Sequence, residues 1–168
     1  MIRIDISNRQ RLLPLDRRRL RRAVAAILRE AGVAQAEVSV AVLDDAAIRP
    51  IHARYLGQDH ATDVLSFLYH RRDGSLDGEV VVSAETAQRW AARRGRPPDD
   101  ELLRYVVHGT LHLVGWDDGS ADARAAMRRR ERAVLAQVRP AVLPRRCSGG
   151  CRPATPPRRC CQGGKRSP

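Results

Sequence analysis

The stretch His108-Gly109-Thr110-Leu111-His112-Leu113-Val114-Gly115-Trp116-Asp117-Asp118 concentrates metal-ligand side chains at a spacing that a helix converts into a site. His108 and His112 are four apart, which on a helix sets both imidazoles on one face about a turn apart. Gly115 then lets the chain bend so that Asp118 returns toward them. Two nitrogens and one oxygen become candidate ligands. Upstream, Leu102, Leu103, Val106, Val107 and Leu111 recur at helical spacing, so a helix starting at Asp99 or Asp100 turns these residues inward and presents the two histidines.

Working outward, residues 78–82 (Gly-Glu-Val-Val-Val) read as a strand, and Ser83 caps a helix that carries Trp90 on its inner face and stops at Gly95-Arg96-Pro97-Pro98. Thr62-Asp63-Val64-Leu65-Ser66-Phe67-Leu68 is too short an apolar run for a helix and predicts a buried strand, separated from the previous one by the turn-rich Arg72-Asp73-Gly74-Ser75. At the N-terminus Ile2, Ile4 and Ile6 alternate with Arg3 and Asp5, the pattern of a half-buried strand. Asp16 caps a helix through Leu20, Val24, Ile27 and Leu28 to Gly32, whose Arg17, Arg18, Arg19, Arg21 and Arg22 read as a solvated face rather than an RNA patch. Val38, Val40 and Val42 alternate in another strand, a short helix through Ile48, Ile51, His52 and Tyr55 ends at Gly57, and Ser120 caps a last helix packed through Ala123, Met127, Val134 and Val138. Interleaved strands and helices predict a single α/β domain, a four-stranded mixed sheet with about five helices, over residues 1–138.

Residues 139–168 form a basic tail of Pro, Arg, Gly, Cys and Ser that is predicted to be disordered. The chain carries a net charge of +12, and eight Lys or Arg with no acid follow from position 139 onward. Such a balance permits a polyanionic partner, nucleic acid foremost, and an Arg-rich composition from a GC-rich genome gives the same count. Cys147, Cys151, Cys160 and Cys161 all lie in that tail, which excludes a disulfide framework for the core and fits no common zinc spacing. The sequence has no apolar run long enough to span a membrane and no apolar leader at its start, so the expectation is a cytoplasmic protein without a membrane partner. No internal repeat is present, which removes solenoid architectures.

A catalytic zinc site needs three protein ligands and one open position, where water becomes acidic enough to act as a nucleophile near neutral pH. His108, His112 and Asp118 supply three. Two histidines at this spacing arise on many helices by chance, and Gly115, Asp118 and the neighbouring Asp117 together point to the metal reading. A carboxylate in place of a third imidazole lowers the charge of the site by one and weakens the ion as a Lewis acid. A metzincin-type protease shares the His-x3-His-x5-Asp spacing but needs a glutamate directly after the first histidine, and Gly109 stands there.

The run His-Gly-x-Leu-His-Leu-x-Gly-aromatic-Asp resembles the signature of the YbeY metallo-endoribonucleases, also called rRNA maturation factors. Thr62-Asp63-Val64-Leu65-Ser66-Phe67 resembles that family's second hallmark, and Gly78-Glu79-Val80 before the Ser83 helix is similar to its Gly-Asp-Ile segment. The resemblance implies a mixed four-stranded sheet, a zinc ion held by three histidines, and metal-dependent endonuclease action on single-stranded RNA in rRNA maturation and ribosome quality control, with rRNA and small-subunit components of the ribosome as partners. Carried over, His108 and His112 are two ligands, and the third family histidine falls on Asp118. The arginine that the family places before the second hallmark falls on Leu56, and Arg54, two residues earlier, is the candidate to replace it. Asp117 is a second candidate catalytic residue, as a group that orients water or a ligand, or else caps the turn before the final helix. A non-catalytic RNA-binding assembly factor with the same fold is the alternative, since both departures favour it.

Overall fold

A computed structural model describes residues 1–138, and the tail with its predicted disorder and four cysteines lies outside the described residues. The elements run β1 (Ile2–Asn8), α1 (Arg17–Glu30), β2 (Gln35–Leu43), α2 (Asp45–Leu56), β3 (Val64–Arg72), β4 (Ser75–Ser83), α3 (Ala84–Arg94), α4 (Pro98–Leu113) and α5 (Ala121–Gln137). These form a mixed α/β domain on one four-stranded sheet of order β1-β2-β4-β3, in which β1, β2 and β4 are parallel and β3 is antiparallel to β4.

The alternation in β2 and β4 divides the core. Val38, Val40, Val42, Val80 and Val82 turn to one face, where they pack with Val24 and Leu28 of α1, Val107 and Leu111 of α4, and Met127 and Val134 of α5. Leu65 and Val81 turn to the other, under Ile48 of α2. The cap residues read from sequence act as such: Asp16, Ser83 and Ser120 each accept from a backbone N–H in the first turn of their helices. Asp45, at the start of α2, accepts from the Ser83 and Thr86 hydroxyls and from Arg89, and its own N–H donates to Glu85 Oε2, so α2 is tied to α3 across the sheet end. Burial raises the Asp45 pKa, but the bonds from Ser83, Arg89 and Thr86 together outweigh it and hold the carboxyl below its usual value.

Five details depart from the expectations. β3 is the edge strand, not a buried one, and only Leu65 in it is buried, because the chain turns tightly at Asp73-Gly74 into β4 and no strand among the described residues pairs with its outer side. Both hairpin strands run longer than their apolar runs, as ladder pairing continues through Arg72 and Ser75 after the side chains have turned polar. α4 starts at Pro98, whose missing N–H costs nothing in a first turn, so Pro97-Pro98 opens this helix as well as closing α3. Trp90 is 39% exposed, held against Arg93 and Arg94, each about 5.0 Å from its ring centre. Of the α1 arginines, Arg19 is buried and bonds to Asp99, Asp100 and the Val138 carbonyl, clamping α1 to α4 and the end of α5.

Candidate metal centre

α4 lies against the sheet because Gly109 leaves no side chain there. A Cβ at that position would meet Val80 Cγ1 at 2.7 Å, Ser66 Oγ at 2.8 Å and Val64 Cγ2 at 2.9 Å. The Ser66 hydroxyl donates to the Gly109 carbonyl at 3.1 Å, locking the helix to β3. Gly109 at this contact orients His108 and His112 away from the core.

The C-terminus of α4 closes in a Schellman turn. Trp116 N–H bonds to the Leu111 carbonyl and Gly115 N–H to that of His112, with Gly115 at φ +90°, a conformation that L side chains rarely adopt. This turn has two products. The Trp116 carbonyl accepts from His112 Nδ1 at 3.0 Å, and the chain comes back so that Asp118 faces both imidazoles. Arg124 of α5 holds the return by donating to the Asp118 and Gly119 carbonyls.

His108 Nε2 and His112 Nε2 stand 3.1 Å apart, and Asp118 Oδ2 and Oδ1 lie 3.8 Å from them. His108 Nδ1 is 2.7 Å from Glu131 Oε1 on α5. A carboxylate and a carbonyl only accept, so each Nδ1 is the donor in its bond, and this turns the Nε2 of both rings toward the space that Asp118 faces. At this separation a proton on one Nε2 or a cation shared by both holds the two rings together. The hydrogen bond to Glu131 raises the His108 pKa above its ordinary value, burial opposes this, and the charges of Glu131, Asp118 and Asp63 add to the rise.

The donor set suits a divalent ion of the zinc type. Ligand bonds of about 2.0–2.1 Å in a tetrahedron keep donors roughly 3.3 Å apart, between the two spacings found. Each histidine also has the outer partner that fixes a metal-binding tautomer. The side chains of His108, His112 and Asp118 are 26%, 31% and 42% exposed, which leaves one side of the triad open.

Asp117 is exposed, its carboxylate folds over Gly119, and Ser120 is the cap of α5. Arg54 is not brought to the triad. It lies near Tyr55 and lines a cavity of about 470 Å³ with Phe67 and Val81, on the sheet face opposite α4. Sequence reasoning missed Glu131, which stands in the apolar stripe of α5 between Met127 and Val134. A carboxylate at a core position of an amphipathic helix was the available signal. Glu131 also faces Arg104 NH1 at 3.7 Å, and Arg104 faces the fully buried Glu101, which bonds to Arg94. A chain of alternating charges thus runs along α4 to His108.

A family model described as Endoribonuclease YbeY matches residues 5–139. The chain is similar to proteins named Endoribonuclease YbeY from Rhodopirellula baltica, 46% identical over 73% of this chain and 64% of that protein, and from Geobacter sulfurreducens, 38% identical over 80% and 95%. It thus spans somewhat less than two thirds of the length of the first of these. A solution structure from Thermotoga maritima shares the fold, with a TM-score of 0.57 at 22% identity, over 82% of this chain and 89% of that one.

Proposed function

Because the chain belongs to the Endoribonuclease YbeY family, we propose that it is a metal-dependent endoribonuclease that cuts single-stranded RNA in the cytoplasm, in rRNA maturation and ribosome quality control, with small-subunit components as partners. The observation that carries the metal reading is the convergence of the His108 and His112 Nε2 atoms, 3.1 Å apart, with the Asp118 carboxylate facing both and an acceptor on each Nδ1. His108, His112 and Asp118 hold the ion, and zinc fits two imidazoles and a carboxylate. A bound ion of this kind supplies Lewis acidity toward water and a phosphoryl oxygen.

The protein's own groups supply the rest. Glu131 and the Trp116 carbonyl hold the imidazoles in the ligating tautomer. Asp117, exposed and next in sequence to the third ligand, orients water or takes up its proton. Arg54 lines a cavity with Arg9, and the two offer a basic contact for strand extending away from the triad.

Asp118 in place of an imidazole favours a second reading, an assembly factor that binds RNA and metal without cleaving. The two readings separate when the metal-loaded protein is incubated with single-stranded RNA, duplex RNA and casein. Cleavage of the single strand alone, abolished by chelation and by His112→Ala, supports the nuclease; RNA binding without cleavage supports the assembly factor; cleavage of casein overturns both.

A further inference from the structure

Beside His108 a cavity of about 230 Å³ opens between α3, α4 and the start of β3. It shares His108 and Glu131 with the metal centre and adds side chains that have no part in holding the ion. One wall is the exposed Trp90, braced by Arg93 and Arg94. Tyr105 also lines it, with a residue exposure of 5% and no hydrogen bond to its hydroxyl from any described residue. Glu101 and Arg104, also in the lining, face each other through Oε2 and Nε at 3.8 Å. The Tyr105 hydroxyl thus keeps a donor and an acceptor that a polar ligand in the cavity satisfies.

The chemistry narrows the ligand. Asp63, Glu101 and Glu131 outnumber Arg94 and Arg104 in the lining, which disfavours a phosphate and favours an uncharged group. The volume is below the ~300–1,000 Å³ of sites that take whole drug-sized ligands, which suits a single ring system. A planar ring against Trp90 with donors and acceptors along one edge is a nucleobase. We propose that this cavity seats one unpaired base of the RNA strand, next to the linkage presented to His108 and His112. The inference rests on the RNA-cleaving reading above and deepens it. A base in a duplex has its hydrogen-bonding edge occupied and its faces stacked, so it cannot enter, and the cavity itself enforces a preference for single strands.

The test uses the metal-loaded full chain and a single-stranded RNA whose cut position is mapped. Tyr105→Phe keeps the ring and removes the hydroxyl, and Trp90→Ala removes the exposed wall. Trp90→Ala is expected to raise KM by about five-fold or more, and Tyr105→Phe to change the preference for the base beside the cut, with unfolding midpoints unchanged in Tyr105→Phe. An abasic nucleotide at that position should slow the wild type as much as Trp90→Ala does, and should slow Trp90→Ala no further. Wild-type cleavage with no response to either variant or to the abasic site overturns the role of the cavity and leaves the RNA reading standing. A wild type that cleaves no RNA overturns both.

Discussion

Glu131 of α5 accepts from His108 Nδ1 of α4 at 2.7 Å, and this one contact between helices decides which nitrogen of His108 faces His112. Packing of α5 on α4 and orientation of the candidate ligand are therefore the same event. Glu131→Ala frees the imidazole to rotate and to adopt the other tautomer, and is expected to weaken metal binding about 10–100-fold. Glu131→Gln keeps an accepting oxygen but loses the charge, and should fall between. Competition against a chromophoric chelator measures both.

Gly109→Ala should damage the fold before it affects chemistry. The added methyl has no room against Val80, Ser66 and Val64, so α4 must lift from the sheet and the Ser66 hydrogen bond must lengthen. The expected loss is about 1–3 kcal/mol, read from urea denaturation, with weaker metal binding as a consequence.

Much of this arrangement was legible in the sequence, for physical reasons that also mark where it stopped. Apolar periodicity in α1 and α4 and alternation in β1 and β2 fix these elements because one face of each is buried. The cap residues Asp16, Ser83 and Ser120 act locally and so are visible locally. Position within the sheet is not local: the run Val64-Leu65-Ser66-Phe67 looks the same in an edge strand as in a central one, and only its pairing with β4 alone decides. Trp90 failed as a core prediction for a related reason. Its neighbours Ala84, Ala87 and Ala91 fill the buried face of α3, and small residues give a weaker signal than an indole. The clustering of His108, His112 and Asp118 was readable because the three sit within one helix and its closing turn, whereas Glu131 and the buried Glu101–Arg104 pair depend on how α5 and α3 pack.

Asp45 gives a pH signature far from the metal centre. Its carboxyl is held below the usual 3.8 by Ser83, Arg89 and Thr86. A lowered folded-state pKa contributes stability that is present above the unfolded value and lost as pH falls through the folded one. Asp45→Asn is expected to cost about 1.5–3 kcal/mol at neutral pH and to flatten the acid limb of the stability profile below about pH 4. Denaturation midpoints from pH 2 to 7 for wild type and variant measure this.

Asp118→His exchanges a carboxylate for an imidazole, raises the charge of the site by one and strengthens a bound ion as a Lewis acid. Single-turnover cleavage of single-stranded RNA is expected to be faster than in the wild type at equal metal occupancy. A slower variant that is fully loaded would show that the carboxylate has a role beyond ligation.

Metal content tests the central claim most directly. Purified wild type, Asp118→Ala and His112→Ala are dialysed against the same limiting zinc and measured by elemental analysis. The predicted result is one ion per wild-type chain and sharply lower content in both variants, with folding intact by circular dichroism. A wild type that takes up no divalent ion, or variants that retain it in full, would contradict a metal centre at His108, His112 and Asp118.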